Sequence, residues 1–288
     1  MSALCPSVPE TGVTLRSILF VPADRPERFE KAAESGADAI ILDLEDSVSP
    51  ENKAAARAHV GEWLQRQERC CTLVRVNPLQ GGMTGDDLAA VVPFGADGIV
   101  LPKAEGAASL HELDRLDPQI AGIPVLPIAT ETPAAVFELG TYREVPDRLL
   151  ALSWGAEDLP AAMGASASRN ADRSYTAPYE VVRSLALFAA HAAGCLALDT
   201  VYPDIGDIDG LAAYAQRARG DGFDGMLAIH PTQVPVINAA FTPSAEELDR
   251  ARKVVEAFAS HPGHGALKVD GQMLDAPHLK AAKRILNL

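Results

Sequence analysis

Apolar positions along the chain fall into short runs of three to six residues that end in charge. Leu149-Leu150-Ala151-Leu152-Ser153-Trp154 runs into Gly155-Ala156-Glu157-Asp158, and Pro124-Val125-Leu126-Pro127-Ile128-Ala129-Thr130 runs into Glu131. A buried strand that ends in acid carries a desolvation cost unless the acid meets a cation or water. Two such strands predict a metal at one rim of a parallel sheet. Six further runs read as strands, beginning near residues 17, 38, 71, 98, 196 and 225. Helical patterns lie between them at Pro26–Ser35, Pro50–Arg66, Ala107–Leu116, Pro133–Leu139, Pro178–Ala193 and Ile208–Arg219.

One junction recurs three times: Gly36-Ala37-Asp38-Ala39, Gly95-Ala96-Asp97-Gly98 and Gly222-Phe223-Asp224-Gly225, each leading into apolar residues. Physically this is a helix-terminating glycine, a short turn and entry into a fully buried strand. Its reuse implies a repeated βα unit. Eight alternating β and α segments predict a (β/α)8 TIM barrel over residues 16–243, with a doubly wound sheet as the alternative. Residues 1–15 are expected to form a flexible N-terminal tail, because Met1 to Pro9 lack the charged and long apolar regions of a secretory signal. Residues 244–288 form a separate C-terminal segment. In it Ser244-Ala245-Glu246-Glu247 caps a helix to about Ser260, His261 to Gly265 break it, and Pro277–Leu286 forms a last amphipathic helix.

The 288 residues, 48% hydrophobic and 22% charged, are those of a globular protein. No apolar run approaches the roughly 18–20 residues of a membrane helix. A formal net charge of −14 argues against a nucleic-acid partner. Cys5, Cys70, Cys71 and Cys195 fit neither a zinc site nor a disulfide framework, and read as reduced thiols of a cytoplasmic protein.

Active sites of such barrels lie at the C-terminal ends of the strands. There the chain places Asp24 and Arg25, Asp43-Leu44-Glu45-Asp46, Arg75, Lys103, Glu131, Glu157-Asp158, Asp199 and His230. Alternation puts Asp43 and Glu45 on one face and Asp46 on the other. So many carboxylates repel unless a cation intervenes, and an all-oxygen set favours Mg2+ or Mn2+ over zinc. Some of these acids can instead be salt-bridged barrel residues. Arg75, inside an apolar strand, either grips a substrate carboxylate or pairs internally with Asp43 or Glu45. Arg25, Arg28 and Lys31 either receive phosphate or form a solvated helix face. His230 reads as structural, because Pro231 follows it in a turn, and Trp154 as a packing residue.

These residues also carry a family resemblance. Leu19-Phe20-Val21-Pro22-Ala23-Asp24-Arg25-Pro26-Glu27-Arg28-Phe29, Leu42-Asp43-Leu44-Glu45-Asp46, Val74-Arg75-Val76-Asn77, Leu101-Pro102-Lys103, Thr130-Glu131-Thr132, Gly155-Ala156-Glu157-Asp158 and Ile229-His230-Pro231 resemble the citrate lyase beta-subunit-like family. That group includes malyl-CoA and citramalyl-CoA lyases and sits within the HpcH/HpaI aldolases. The resemblance implies a barrel of the phosphoenolpyruvate/pyruvate type with a C-terminal helical lid. It implies Mg2+ on Glu131 and Asp158, choosing Asp158 over Glu157, and Arg75 on the keto-acid oxygens. Phe20, Arg25 and Lys31 match positions that meet coenzyme A. Gly271 to Asp275 match the lid, whose Asp reaches an adjacent subunit's site, so Asp275 is expected as an acid/base and the assembly as a trimer or hexamer. With Glu45 as the expected base, the implied reaction is reversible cleavage of a 3-hydroxy acyl-CoA to an α-keto acid and an acyl-CoA. A thioesterase, a malate-synthase-like enzyme, and a citrate lyase beta subunit or non-catalytic binding subunit are the alternatives.

Overall fold

The computed structural model describes residues 15–269 and 271–286. The proposed N-terminal tail lies, apart from Leu15, outside the described residues. Eight parallel strands form one sheet: β1 (Ser17–Pro22), β2 (Ala39–Asp43), β3 (Thr72–Arg75), β4 (Gly98–Leu101), β5 (Val125–Pro127), β6 (Ala151–Ser153), β7 (Leu196–Asp199) and β8 (Gly225–Ala228). Their order is β5-β4-β3-β2-β1-β8-β7-β6. The two ends meet through parallel bridges Val125↔Leu149 and Ile128↔Ser153, with Leu150 N donating to Val125 O at 2.8 Å, so the sheet closes on itself. A closed ring leaves no strand edge exposed.

Alternation along the strands divides the core in two. Ile18, Ile41, Leu73, Val100, Leu126 and Leu198 point inward and fill the barrel. Leu19, Ile40, Leu42, Val74, Ile99 and Leu101 point outward, into a layer shared with Val60, Leu110, Leu113 and Leu211 of the surrounding helices. Three helices begin at proline much where the sequence predicts: Lys53–Leu64 behind a Pro50–Asn52 turn, Pro133–Glu138, and Ala177–Ala193. Three helices were not anticipated: Thr84–Val91, which has no proline start, the short Asp158–Met163, and Val234–Phe241, which follows a Pro231–Gln233 turn.

The recurring Gly-x-Asp junction has a structural purpose. Gly36, Gly95 and Gly222 adopt left-handed φ values of 82°, 73° and 110°, which end the preceding helix. Each Asp then clamps the start of the neighbouring strand. Asp38 N donates to Ser17 O, and its carboxylate accepts from Arg16 N at 2.7 Å. Asp97 exchanges both bonds with Thr72, and Asp224 both with Ala197. The repeat therefore sits at the N-terminal end of the barrel, opposite the rim that holds the candidate chemistry.

The chain divides into two compact units after Phe241. In the second, the Ser244–Glu247 capping box opens the helix Ala245–Ser260 as expected. An antiparallel hairpin follows, β9 (Ala266–Val269) and β10 (Gln272–Asp275), then the helix Ala276–Ile285. Ala251, Val254, Leu274 and Ala282 form its own small core. No helix among the described residues is long and apolar enough to cross a membrane. Cys70 and Cys195 are free thiols, and Cys5 lies outside the described residues.

Candidate active site

A cavity of about 300 Å³ opens at the C-terminal rim of the barrel, lined by Phe20, Asp43, Arg75, Glu131, Trp154, Asp158, Thr200 and nine others. Strand parity explains why these residues meet. Inward positions Ile18 and Ile41 fix the parity of Phe20 and Asp43, and Leu73 fixes that of Arg75.

The centre of the rim is one ion cluster. Arg75 makes a two-pronged bond to Asp43, Nε to Oδ1 at 2.7 Å and Nη2 to Oδ2 at 2.8 Å. Its Nη1 lies 2.9 Å from Glu45 Oε2, an oxygen that is buried and has no hydrogen-bond partner in good geometry. Burial opposes ionisation of Asp43, but the Arg75 charge and hydrogen bonds outweigh it and hold the carboxyl below the usual range. Arg75 thus pairs internally, as one of its two readings expects, and still faces the cavity, with its guanidinium carbon 4.8 Å above the Phe20 ring. The acidic partner at Asp43 fixes the fork in place, as substrate recognition requires.

Glu45, expected as the base, lies behind this cluster rather than in the cavity wall. Its Oε1 accepts from Lys103 Nζ at 2.7 Å. Burial raises its pKa, against the pull of Arg75 and Lys103. Asp46 is exposed while Asp43 and Glu45 are buried, as alternation predicts.

Glu131 follows β5, is 4% exposed and lines the cavity. Its Oε2 accepts from Lys103 N at 2.5 Å. Burial, with Asp158 and Glu45 nearby, pushes its carboxyl up to about 8. Gly155 makes room for it: a Cβ there would stand 2.4 Å from Glu131 Cγ. Gly155 N in turn donates to Thr130 Oγ1 at 3.1 Å, which ties the ends of β5 and β6 together. Asp158 begins the short helix Asp158–Met163, is half-buried and lines the same cavity, with Lys103 Nζ 3.5 Å from its Oδ1. Glu157 also lines the cavity but is exposed.

Among the described residues no group of three or more His, Cys, Asp or Glu gathers as a metal cage. A cation here would therefore rest on Glu131 and Asp158, with substrate and water completing its shell. The donor chemistry fits a hard divalent ion: all oxygen, with one buried carboxyl held back from ionising for want of positive charge.

The remaining candidates lie elsewhere. Arg25 and Lys31 are exposed on the segment after β1, outside the cavity wall, and Arg25 has only a distant pair with Asp24 at 3.9 Å. His230 caps the turn that follows β8: Thr232 N donates to its Nδ1 at 3.3 Å, a structural role as expected. Asp275 belongs to the second unit, at the end of β10, where it pairs with His278 Nδ1 at 2.6 Å. Two residues carry more than their sequence signal suggested. Trp154, read as packing, lines the cavity and donates through Nε1 to Asp199 at 2.6 Å. Asp199 is fully buried and also accepts from Arg183 and Tyr214, a network that fixes the β6–β7 side of the cavity. Lys103, whose role the sequence left open, touches three acids.

Comparison with known proteins shows the family. The family model described as HpcH/HpaI aldolase/citrate lyase matches residues 16–231. A citrate lyase subunit beta-like protein of Mycobacterium tuberculosis is 42% identical over 271 residues, 93% of each chain. A (3S)-malyl-CoA thioesterase of Cereibacter sphaeroides is 34% identical over 277 residues, 94% of this chain and 93% of that one. The crystal structure of protein CitE from Mycobacterium tuberculosis in complex with magnesium, acetoacetate and coenzyme A superposes with a TM-score of 0.82 at 40% identity, covering 96% of this chain and 98% of that one. The chain belongs to the HpcH/HpaI aldolase/citrate lyase family.

Proposed function

We propose that this protein is a Mg2+-dependent carbon–carbon lyase that reversibly cleaves a 3-hydroxy acyl-CoA of the citramalyl-CoA or malyl-CoA type. The observation that carries this reading is the cavity wall itself, where Glu131, Asp158 and the Asp43-anchored Arg75 face one space. A metal–carboxylate pair beside a fixed guanidinium suits an α-hydroxy or α-keto carboxylate. The magnesium bound by the CitE relative supports the choice of ion.

Glu131 and Asp158 would hold the ion, which when bound supplies Lewis-acid stabilisation of negative charge on substrate oxygens. Arg75 orients the carboxylate of the hydroxy acid and stabilises the developing keto oxygen. Glu45 is the base that receives the hydroxyl proton, held in place by the Lys103 Nζ hydrogen bond. The C–C bond then breaks. One carbon becomes the keto carbon, and the electron pair passes to the thioester α-carbon as an enolate. Asp275, extended over an adjacent subunit's site, protonates that enolate to the acyl-CoA. Phe20, Arg25 and Lys31 meet coenzyme A, the two cations receiving its phosphates. The assembly is a trimer or hexamer; exposed Val181, Leu185 and Phe188, which share one face of the helix Ala177–Ala193, support association.

Product analysis tests the reaction class. A lyase releases keto acid and acyl-CoA in equal amounts. Thioester hydrolysis is the second reading, favoured by the name of the Cereibacter relative, and releases free CoA with no keto acid. Free CoA as the sole thiol product would replace the lyase proposal.

A further inference from the structure

Lys103 and Arg173 are the non-glycine residues with positive φ among those described, and Lys103, at 49°, stands at the rim. A lysine pays conformational energy for that backbone, so surrounding contacts must hold it there. They do so at three points. Its N–H donates to Glu131 Oε2 at 2.5 Å. Its ammonium donates to Glu45 Oε1 at 2.7 Å and lies 3.5 Å from Asp158 Oδ1. One residue thus engages both carboxylates assigned to the ion and the acid behind them.

We propose that Lys103 is a positioning residue that serves as the site's internal counter-cation. Its N–H fixes the Glu131 carboxylate, and its ammonium neutralises the acid cluster before the divalent ion arrives, competing with that ion for Asp158. The inference rests on the metal reading above. The ammonium keeps mutually repelling carboxylates together, so the ligand pair is preformed. The same charge weakens ion binding, because the ion must turn Lys103 away from Asp158 toward Glu45. Removing the charge should therefore tighten metal binding, whereas damage to the site would loosen it.

Mn2+ is the probe, with free ion measured by electron paramagnetic resonance during titration of the purified protein. Lys103→Met and Lys103→Gly both remove the ammonium and keep the N–H. The glycine also relaxes the left-handed backbone and carries the test if the methionine variant does not fold. Each should bind Mn2+ at least roughly tenfold more tightly than the parent, the scale on which one nearby charge shifts an ionic equilibrium. Lys103→Arg, which keeps the charge, should stay within about threefold of the parent. In Lys103→Met kcat should fall as affinity rises, because Glu45 loses the hydrogen bond that positions it. Unchanged or weaker Mn2+ binding in both uncharged variants overturns the counter-cation role, and so does an arginine variant that tightens as they do. Parent protein that binds no Mn2+ overturns the metal reading instead.

Discussion

Glu131 shows how burial and backbone chemistry prepare a single carboxyl. Its pKa is raised from 4.5 to about 8 chiefly by desolvation, so ionising it costs the folded state. A raised folded value means its contribution to stability is full below about pH 4.5 and lost as pH rises through about 8. A divalent ion that binds the ionised form reverses that loss. Thermal melts with and without Mg2+ should show a metal-dependent rise in melting temperature that is small near pH 5 and grows until about pH 8. A rise independent of pH over that range would deny Glu131 the ligand role. Gly155 offers a second test. A Cβ 2.4 Å from Glu131 Cγ forces the carboxylate aside, so Gly155→Ala should weaken Mg2+ affinity by roughly tenfold or more while the protein still folds. Calorimetric titration measures it, and undiminished affinity would show that Glu131 can move without cost. Both ligand candidates were legible as acids ending apolar runs. Lys103 was not, because its part depends on a backbone angle and on acids from three other strand ends.

At the scale of elements, the sequence pattern located all eight strands, since each is a mostly buried apolar run that ends at, or a few residues before, a polar residue. The hairpin Ala266–Val269/Gln272–Asp275 escaped notice for the opposite reason: its residues are mostly exposed or half-buried, so no buried apolar run marks it. The Gly-x-Asp repeat was legible as a junction but not as a clamp, because its partners are backbone groups of another strand. Those clamps belong to stability and not to catalysis. Asp97→Ala leaves Thr72 N without its carboxylate and removes the Arg69 ion pair, at a cost of about 1–3 kcal/mol. Denaturant unfolding should register that loss, and KM should be unaltered. A large change in KM with unchanged stability would contradict this division of the barrel into a clamped end and a reactive end.

For the whole molecule, the formal net charge is −14, and Arg75 and Lys103 set positive charge among the acids of the rim. That arrangement admits an anionic substrate where the overall field disfavours one. The proposed assembly shares its site between subunits, with Asp275 acting on a neighbour. Arg75→Ala and Asp275→Asn should each be nearly inactive alone. Co-expressed in mixed oligomers they should regain activity, because some sites then combine an intact Arg75 with an intact partner Asp275. Mixed oligomers with no more activity than either parent would confine each site to one chain.

The central claim is that Glu131 and Asp158 hold a divalent ion that serves C–C cleavage in the cavity they line. Keto acid released from a panel of citramalyl-CoA and malyl-CoA isomers, by protein stripped with chelator and then resupplied with Mg2+, tests it most directly. The account predicts release from one isomer that stops on chelation, returns with Mg2+, and is absent from Glu131→Ala and Asp158→Ala. Release that persists in chelator, or in either alanine variant, would contradict it.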